Sequence, residues 1–198
     1  MIDNILLSSS TTIARYRQLE ARKDRGEIAD FLKERFTERY IRPLCGAPDM
    51  KHGFCTMAIS CLMIEALESF WQGWPDTTRK SKEAFSSFFQ RCSEQGLELG
   101  IFSDIADDFY KGVRCGILHQ AETTNGWRIR RKGALCDKHT KTINATKFHN
   151  NLEKALLTYC ETLKRSDWNL EIWCNLRNKM RAIIKNWVKS YISCKKLI

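Results

Sequence analysis

The chain has 198 residues, a length expected for one domain, and 43% of its residues are apolar. This composition excludes the class of disordered chains, so we expect it to fold around a core of its own. Subtracting 23 acidic from 33 basic side chains leaves a formal net charge of +10. Such a charge favours polyanionic partners, nucleic acid first and an anionic membrane surface second.

Nine cysteines are spread along the chain, and no two of them form a Cys-x-x-Cys pair. This usage is typical of a reducing cytosol, so we expect a cytoplasmic protein without a disulfide framework. Metal ligands could come from His52 with Cys55, or from Cys136 with His139 and His149. Zinc sites normally show two tight ligand pairs, so we expect no metal. The N-terminus lacks a secretory pattern and no apolar stretch approaches the ~20 residues of a membrane span, so we expect no membrane association.

The three prolines and ten glycines are few, and apolar residues recur at intervals of three and four, which predicts a mostly helical chain. In chain order, the predicted helices cover residues 12–40, residues 53–72 and a short segment 79–92. A third major helix begins at 97 or 102 and runs into the stretch that starts at 109, and the last two cover residues 144–164 and 169–194. Between the third major helix and the last two, the sequence WRIRRKGALCD alternates in part and predicts a small β-hairpin over residues 127–137. We therefore expect a single all-α domain over residues 1–198, an up-and-down bundle of about five helices with this hairpin as an insertion.

The second predicted helix carries an acid at the edge of its apolar face. On a helical projection Glu65 falls at this edge and Glu68 on the opposite side. Half-buried acids are usually paired, so we expect a neighbouring Lys or Arg beside Glu65, and a site carboxylate is the alternative. The predicted apolar stripe consists of Cys55, Ala58, Ile59, Leu62, Met63, Ala66 and Phe70.

The end of the third major helix holds a fixed cation and a titratable imidazole, Arg114 and His119. At about 100° per residue they lie about 140° apart, so they cannot share one face of a regular helix. One alternative is that the helix unwinds after Gly116 and turns His119 back toward Arg114. The other is that the two residues meet a partner's copies across a symmetric interface.

Arg114 and His119 suit a metal-free reaction on a phosphodiester. Arg can hold a phosphate through two parallel hydrogen bonds, and His can take and give a proton near neutral pH. Together they fit attack of a ribose 2′-hydroxyl on the neighbouring phosphate, with His as general acid or base and Arg stabilising charge on the phosphorus. That chemistry requires RNA, because DNA lacks the nucleophile.

The segment RCGILH, residues 114–119, resembles the Arg-x4-6-His signature of HEPN domains, where it ends the third helix of an all-helical bundle. The resemblance implies a metal-independent endoribonuclease without cofactors, active as a homodimer through the third helix, that leaves 2′,3′-cyclic phosphate (or 3′-phosphate) and 5′-hydroxyl ends. It also implies a role in toxin–antitoxin pairs, abortive infection or antiviral defence, with an antitoxin or defence protein as a partner. The residue after the Arg is usually Asn, Asp or His in this family, and here it is Cys115. The resemblance implies Arg114 and His119 as the catalytic pair and Glu65 as a supporting acid. Cys115, Gln120 and Tyr110 are further candidate supporting residues.

The predicted hairpin supplies positive charge for an RNA backbone, and Trp127 or Tyr110 could stack on bases. Packing of the hairpin onto the bundle is the more ordinary role for Trp127. Two alternatives remain open for the whole chain: a non-catalytic RNA- or nucleotide-binding bundle, and a structural adaptor that docks through its basic C-terminal helix. The candidate RNA-binding residues are Arg128, Arg130, Arg131 and Lys132.

Overall fold

The computed structural model of the chain describes residues 2–45 and 52–195, with side chains up to residue 190. It is predominantly helical with a small sheet inserted after the third major helix, which confirms the predicted fold class. The chain divides into two compact units. The first comprises Met1–Arg39, Ser69–Asp76 and Leu157–Ile198, and the second comprises Tyr40–Glu68 and Thr77–Leu156.

The helical segments follow the predicted order, and most ends fall within two residues of the prediction. Besides two 3-10 turns (Ile2–Asn4 and Arg42–Leu44), they are α1 (Ile13–Arg22), α2 (Arg25–Phe36), a π-helical turn (Thr37–Ile41), α3 (Gly53–Trp71), α4 (Ser81–Glu94), a 3-10 segment (Glu98–Ile105), α5 (Ala106–Phe109), a second π-helical segment (Tyr110–Cys115), α6 (Gly116–Gln120), α7 (Ala145–Arg165) and α8 (Glu171–Lys195).

The prediction of one long first helix was wrong. The helix breaks at Lys23, which adopts a left-handed conformation with φ of 55°, and a new helix begins after Asp24. The Asp24 carboxylate accepts a hydrogen bond from the backbone N–H of Glu27 at 3.0 Å, which satisfies one of the free donors at the start of α2. The pattern Asp-x-x-Glu at residues 24–27 is a helix-start signal that the run of charged residues concealed.

One face of α8 contributes to the core of the first unit. Trp173 of α8 is fully buried, and its indole N–H donates to the carbonyl of Leu163 at 3.1 Å. Leu176 and Met180 follow on the same face and are also fully buried, whereas Trp187 is 45% exposed. Along α8, the aromatic and apolar side chains at helical spacing are therefore core in the first half of the helix, and Tyr191 lies outside the residues whose side chains are described.

Helix α3 is long and apolar enough to cross a membrane by length and composition alone, with a mean hydropathy of 1.4 over its best window. The prediction that no apolar stretch approaches the length of a membrane span was therefore wrong for this 19-residue helix. However, 61% of that window is buried inside the protein, which is consistent with the core helix of a soluble protein. Its predicted apolar stripe is only partly core, because Met63 and Phe70 are buried while Cys55 and Leu62 are exposed.

The inserted sheet differs in pairing from the predicted hairpin over residues 127–137. The two strands of that prediction do not pair with each other, because a third strand lies between them in the order β1-β3-β2. β1 runs parallel to β3, and β2 runs antiparallel to β3. A short loop of residues 138–141 joins β2 to β3, so the hairpin lies one strand later than predicted. The strands are β1 (Arg128–Arg130), β2 (Cys136–Asp137) and β3 (Thr142–Asn144).

The core of the second unit is a cluster of phenylalanine rings around Phe109. The rings of Phe109 and Phe148 stack with centroids 5.5 Å apart, and Phe89 meets Phe109 edge-on at 5.1 Å. Because this cluster anchors α5, it fixes the start of the continuous helical stretch, residues 106–120, that carries Arg114 and His119.

The chain leaves α6 and folds back across the π-helical segment. The backbone N–H of Thr124 donates to the carbonyl of Gly112 at 2.7 Å. A side-chain carbon on Gly112 would lie 2.3 Å from Cδ1 of the buried Trp127, and one on Gly116 would lie 2.5 Å from the carbonyl oxygen of Glu122. Both glycines are needed for this close approach of the returning chain.

We expect Gly112→Ala to destabilise the protein by about 1–3 kcal/mol, because the added methyl group overlaps a buried indole ring that cannot easily move. The matched control is Gly26→Ala in α2, where the nearest neighbouring atom would be 3.7 Å away. This control should be neutral or stabilising by up to about 1 kcal/mol. Urea unfolding measures both, and equal stability of the two variants would contradict the close approach.

Candidate functional site

The site is organised by an ion pair between Arg114 in the second π-helical segment and Glu65 in α3. The guanidinium Nε donates to Glu65 Oε1 at 2.8 Å. Both side chains are largely withdrawn from water, with 16% of the Arg114 side chain and 10% of the Glu65 side chain exposed. Such a pair is sensitive to the loss of either partner, because the remaining charge would stay buried without compensation.

The second oxygen of Glu65 is also occupied. Thr77 and Ser81 donate their hydroxyls to Oε2, at 3.1 Å and 2.8 Å. The carboxylate is therefore held on both oxygens, one by the cation and the other by two neutral donors. The expected pairing of Glu65 with a neighbouring Lys or Arg is confirmed, and its partner is Arg114, forty-nine residues further along the chain.

The guanidinium of Arg114 is held by a carboxylate at Nε alone. Glu65 takes Nε, and among the described residues no carboxylate binds either terminal nitrogen. The guanidinium carbon lies 5.6 Å from the centre of the Tyr110 ring. Burial alone would lower the pKa of Arg114, but the Glu65 carboxylate outweighs it and raises that pKa, so the group carries its charge at all relevant pH values.

The pair lies beside a cavity of about 160 Å³ between α3 and α6. The thiol of Cys61 is buried, and burial raises its pKa far above the ordinary range, so it acts as an apolar wall and not as a nucleophile. Two leucines at the cavity, Leu62 and Leu118, are each more than half exposed. An apolar cavity with a fixed cation at its side can exclude water around a bound anion. It is lined by Ala58, Cys61, Leu62, Glu65, Arg114, Ile117 and Leu118.

His119 does not join this cavity. The alternative in which the helix unwinds after Gly116 is wrong, because residues 116–120 are α-helical and the helix ends only at Ala121, which is left-handed with φ of 54°. Gly116 permits the close approach of the returning chain instead of breaking the helix. The His119 side chain is exposed and has no hydrogen bond or ion pair within the described part of the chain. Arg114 and His119 of one chain therefore point to different surroundings.

The three supporting residues around the motif lie at different depths. Cys115 is half-buried and neighbours Tyr110, while Gln120 is exposed at the end of α6. Burial and the nearby Cys115 thiol raise the pKa of the Tyr110 hydroxyl. The Tyr110 ring also packs against Phe85, with ring centres 5.6 Å apart. With Phe85 and Arg114 beside it, this ring supports the guanidinium instead of standing free for base stacking.

Trp127 is buried, so its packing role is confirmed. Its indole N–H donates to Asp108 at 3.2 Å, and Lys141 binds the same carboxylate at 2.7 Å. The four candidate RNA-binding residues lie on or just after β1. Arg128, Arg130 and Lys132 are exposed, whereas the Arg131 Nε donates to the Thr146 hydroxyl at 3.4 Å.

A second buried carboxylate in α3 was missed by the helical projection. Glu68 was placed on the polar side, yet it is fully buried and forms an ion pair with Arg91 of α4. Two acids three residues apart in an otherwise apolar helix are a signal that could have found this pair, because a buried carboxylate needs a partner.

The candidate metal ligands are not brought together. Within residues 2–45 and 52–195, no three His, Cys, Asp or Glu side chains form a group that could hold a metal ion. His149 is buried in α7 with Nδ1 3.1 Å from the Ser60 hydroxyl, and burial lowers its pKa. These contacts indicate a neutral core histidine.

Comparisons with known protein families, with curated proteins and with solved structures found no match to this chain. The resemblance to HEPN domains therefore depends on the motif at residues 114–119 and on the helical architecture, and the activity that it implies stays a hypothesis.

We expect Glu65→Gln to destabilise the protein by about 1–3 kcal/mol, because the amide keeps the size of the side chain but loses the charge that compensates Arg114. The matched control is Glu153→Gln on the exposed face of α7, which should stay within about 0.5 kcal/mol of the parent protein. Urea unfolding compares the two. A Glu65 variant as stable as the control would show that the ion pair does not contribute to the free energy of unfolding.

Proposed function

We propose that the chain is a metal-independent endoribonuclease that acts as a homodimer. The observation that supports this most is the arrangement of Arg114, whose Nε is held by a buried carboxylate while its side chain lines a cavity. An Arg fixed in this way can present two parallel donors to a phosphate without losing conformational freedom on binding.

In the proposed reaction Arg114 binds the scissile phosphate and His119 transfers protons. A 2′-hydroxyl loses its proton to a base and attacks the adjacent phosphorus, and the O5′–P bond breaks as O5′ takes up a proton. The products are a 2′,3′-cyclic phosphate and a 5′-hydroxyl. Arg114 offsets the extra negative charge that develops on the phosphate oxygens. Glu65 touches no reacting atom in this scheme and acts by positioning Arg114.

The homodimer supplies the histidine that the cavity of one chain lacks. His119 is exposed at the end of the same continuous helix and does not line the cavity beside its own Arg114. Leu62 and Leu118 expose apolar surface next to this cavity, where a second copy could bury it. We therefore propose that two copies pair through α6, the end of the predicted third helix, so that the His119 of each approaches the Arg114 of the other.

The cellular setting is proposed from the sequence. The cysteine usage favours the cytoplasm, and the resemblance to HEPN domains favours a toxin or antiviral effector restrained by an antitoxin or defence partner. A second candidate function is RNA binding without cleavage. Cys115 favours it, because this position is usually Asn, Asp or His in HEPN domains and the thiol here is half-buried beside Tyr110.

The purified protein should cleave mixed RNA in the presence of EDTA and leave cyclic phosphate ends. We expect Arg114→Lys to lower kcat by a factor of about 100 or more, because a single ammonium cannot reproduce two parallel donors. His119→Ala should lower kcat by a factor of about 100 to 10,000 through loss of proton transfer. Single-turnover kinetics and end-group analysis of the products measure both effects.

The matched control is His139→Ala, which removes an exposed histidine from the loop between β2 and β3 and should leave cleavage unchanged. Cleavage that survives in both Arg114→Lys and His119→Ala would refute the proposed roles. RNA binding by the parent protein without any cleavage would favour the second candidate function.

A further inference from the structure

Strand β1 presents uncompensated positive charge on one face only. Its exposure alternates: Arg128 and Arg130 are exposed and Ile129 between them is half-buried. Because successive side chains of a strand point to opposite faces, the two arginines share the outer face of the sheet. No acidic side chain pairs with either of them, or with the exposed Lys132, among the described residues.

The other lysines of the insertion differ in this respect. Lys138 binds Asp104 at 2.7 Å, and Lys141 binds Asp108 at 2.7 Å. Their charges are neutralised by the protein, whereas those of Arg128 and Arg130 are not. The insertion therefore carries two kinds of basic residue, and the β1 arginines belong to the kind whose charge is free to meet a polyanion.

The contacts of β1 place it at the beginning of α3. A side-chain carbon on Gly53 would lie 3.1 Å from Cγ2 of Ile129, so the inner face of β1 packs on the first residue of the helix. Arg114 is bound to Glu65, twelve residues further along the same helix. At 1.5 Å per residue, the levels of β1 and Arg114 are about 18 Å apart along the axis of α3.

An exposed aromatic ring lies in the first turn of α3, the end of the helix on which β1 packs. Phe54 follows Gly53 and is 37% exposed. Aromatic rings next to basic side chains are the combination that binds single-stranded nucleic acid, because bases stack on the rings while cations follow the phosphates. A duplex would keep its bases stacked inside and could not use the ring.

We propose that Arg128 and Arg130 form a second contact for single-stranded RNA, separate from the phosphate at Arg114. This inference rests on the proposed nuclease function and adds a length requirement to it. At 3.4 Å per nucleotide, 18 Å corresponds to about five nucleotides, and to fewer if the strand is extended. The substrate is therefore an unpaired strand that continues for up to about five nucleotides on one side of the scissile phosphate.

The experiment measures binding of fluorescent oligouridylates of two to twelve nucleotides to the His119→Ala protein in EDTA, by anisotropy at several salt concentrations. Affinity should rise steeply up to about six nucleotides and then level off. Arg128→Ala/Arg130→Ala, made in the same background, should weaken binding of the twelve-nucleotide strand about tenfold and leave that of a trimer unchanged. The slope of log affinity against log salt should fall by about 1.4 for the two lost contacts.

The matched control is Lys138→Ala/Lys154→Ala, which makes the same change in net charge at two lysines already paired with acids. It should leave the length dependence intact. Equal weakening of trimer and twelve-nucleotide strand by the arginine variant, or equal effects of the two double variants, would overturn the second contact. If either of these results is obtained and the parent protein still cleaves RNA, the second contact is refuted and the proposed nuclease function is not. If no RNA is bound or cleaved, the nuclease proposal fails as well.

Discussion

The ion pair between Glu65 and Arg114 is the interaction on which the candidate site depends. A guanidinium that is mostly withdrawn from water loses hydration, and here a carboxylate from another helix replaces it. Thr77 and Ser81 in turn hold that carboxylate, so the cation is positioned by a short chain of contacts through α3 and the start of α4. This arrangement fixes Nε of a side chain that lines the cavity.

The backbone around Arg114 is shaped by close packing and not by a helix break. The π-helical segment, Gly112 and Gly116 allow the returning chain to cross the helix, with Thr124 bonded to the carbonyl of Gly112. π-Helical segments are rare and occur often at functional sites, because they turn side chains away from their regular helical direction. In this protein the segment ends at Cys115, directly after the arginine of the site.

Local patterns were sufficient to predict the helices and to single out Glu65, because helical periodicity and the edge of an apolar face are properties of a few neighbouring residues. They could not identify Arg114 as its partner, since forty-nine residues separate the two and only tertiary packing joins them. The burial of Glu68 was missed for a similar reason. A helical projection gives the direction of a side chain, but it does not show that Arg91 of another helix forms an ion pair with it. The sequence did not predict the strand order of the insertion, because the central strand β3 has only three residues. An alternation of polar and apolar residues over three positions is too short to identify a strand.

The most direct test of the composite cleft is complementation between two inactive variants. Arg114→Ala and His119→Ala proteins are each expected to lack activity. If each cleft combines the Arg114 of one copy with the His119 of the other, mixing them under conditions of subunit exchange creates one intact cleft in every mixed dimer, and cleavage returns. Mixed dimers that form, as shown by differently tagged subunits, and still fail to cleave RNA would contradict the account.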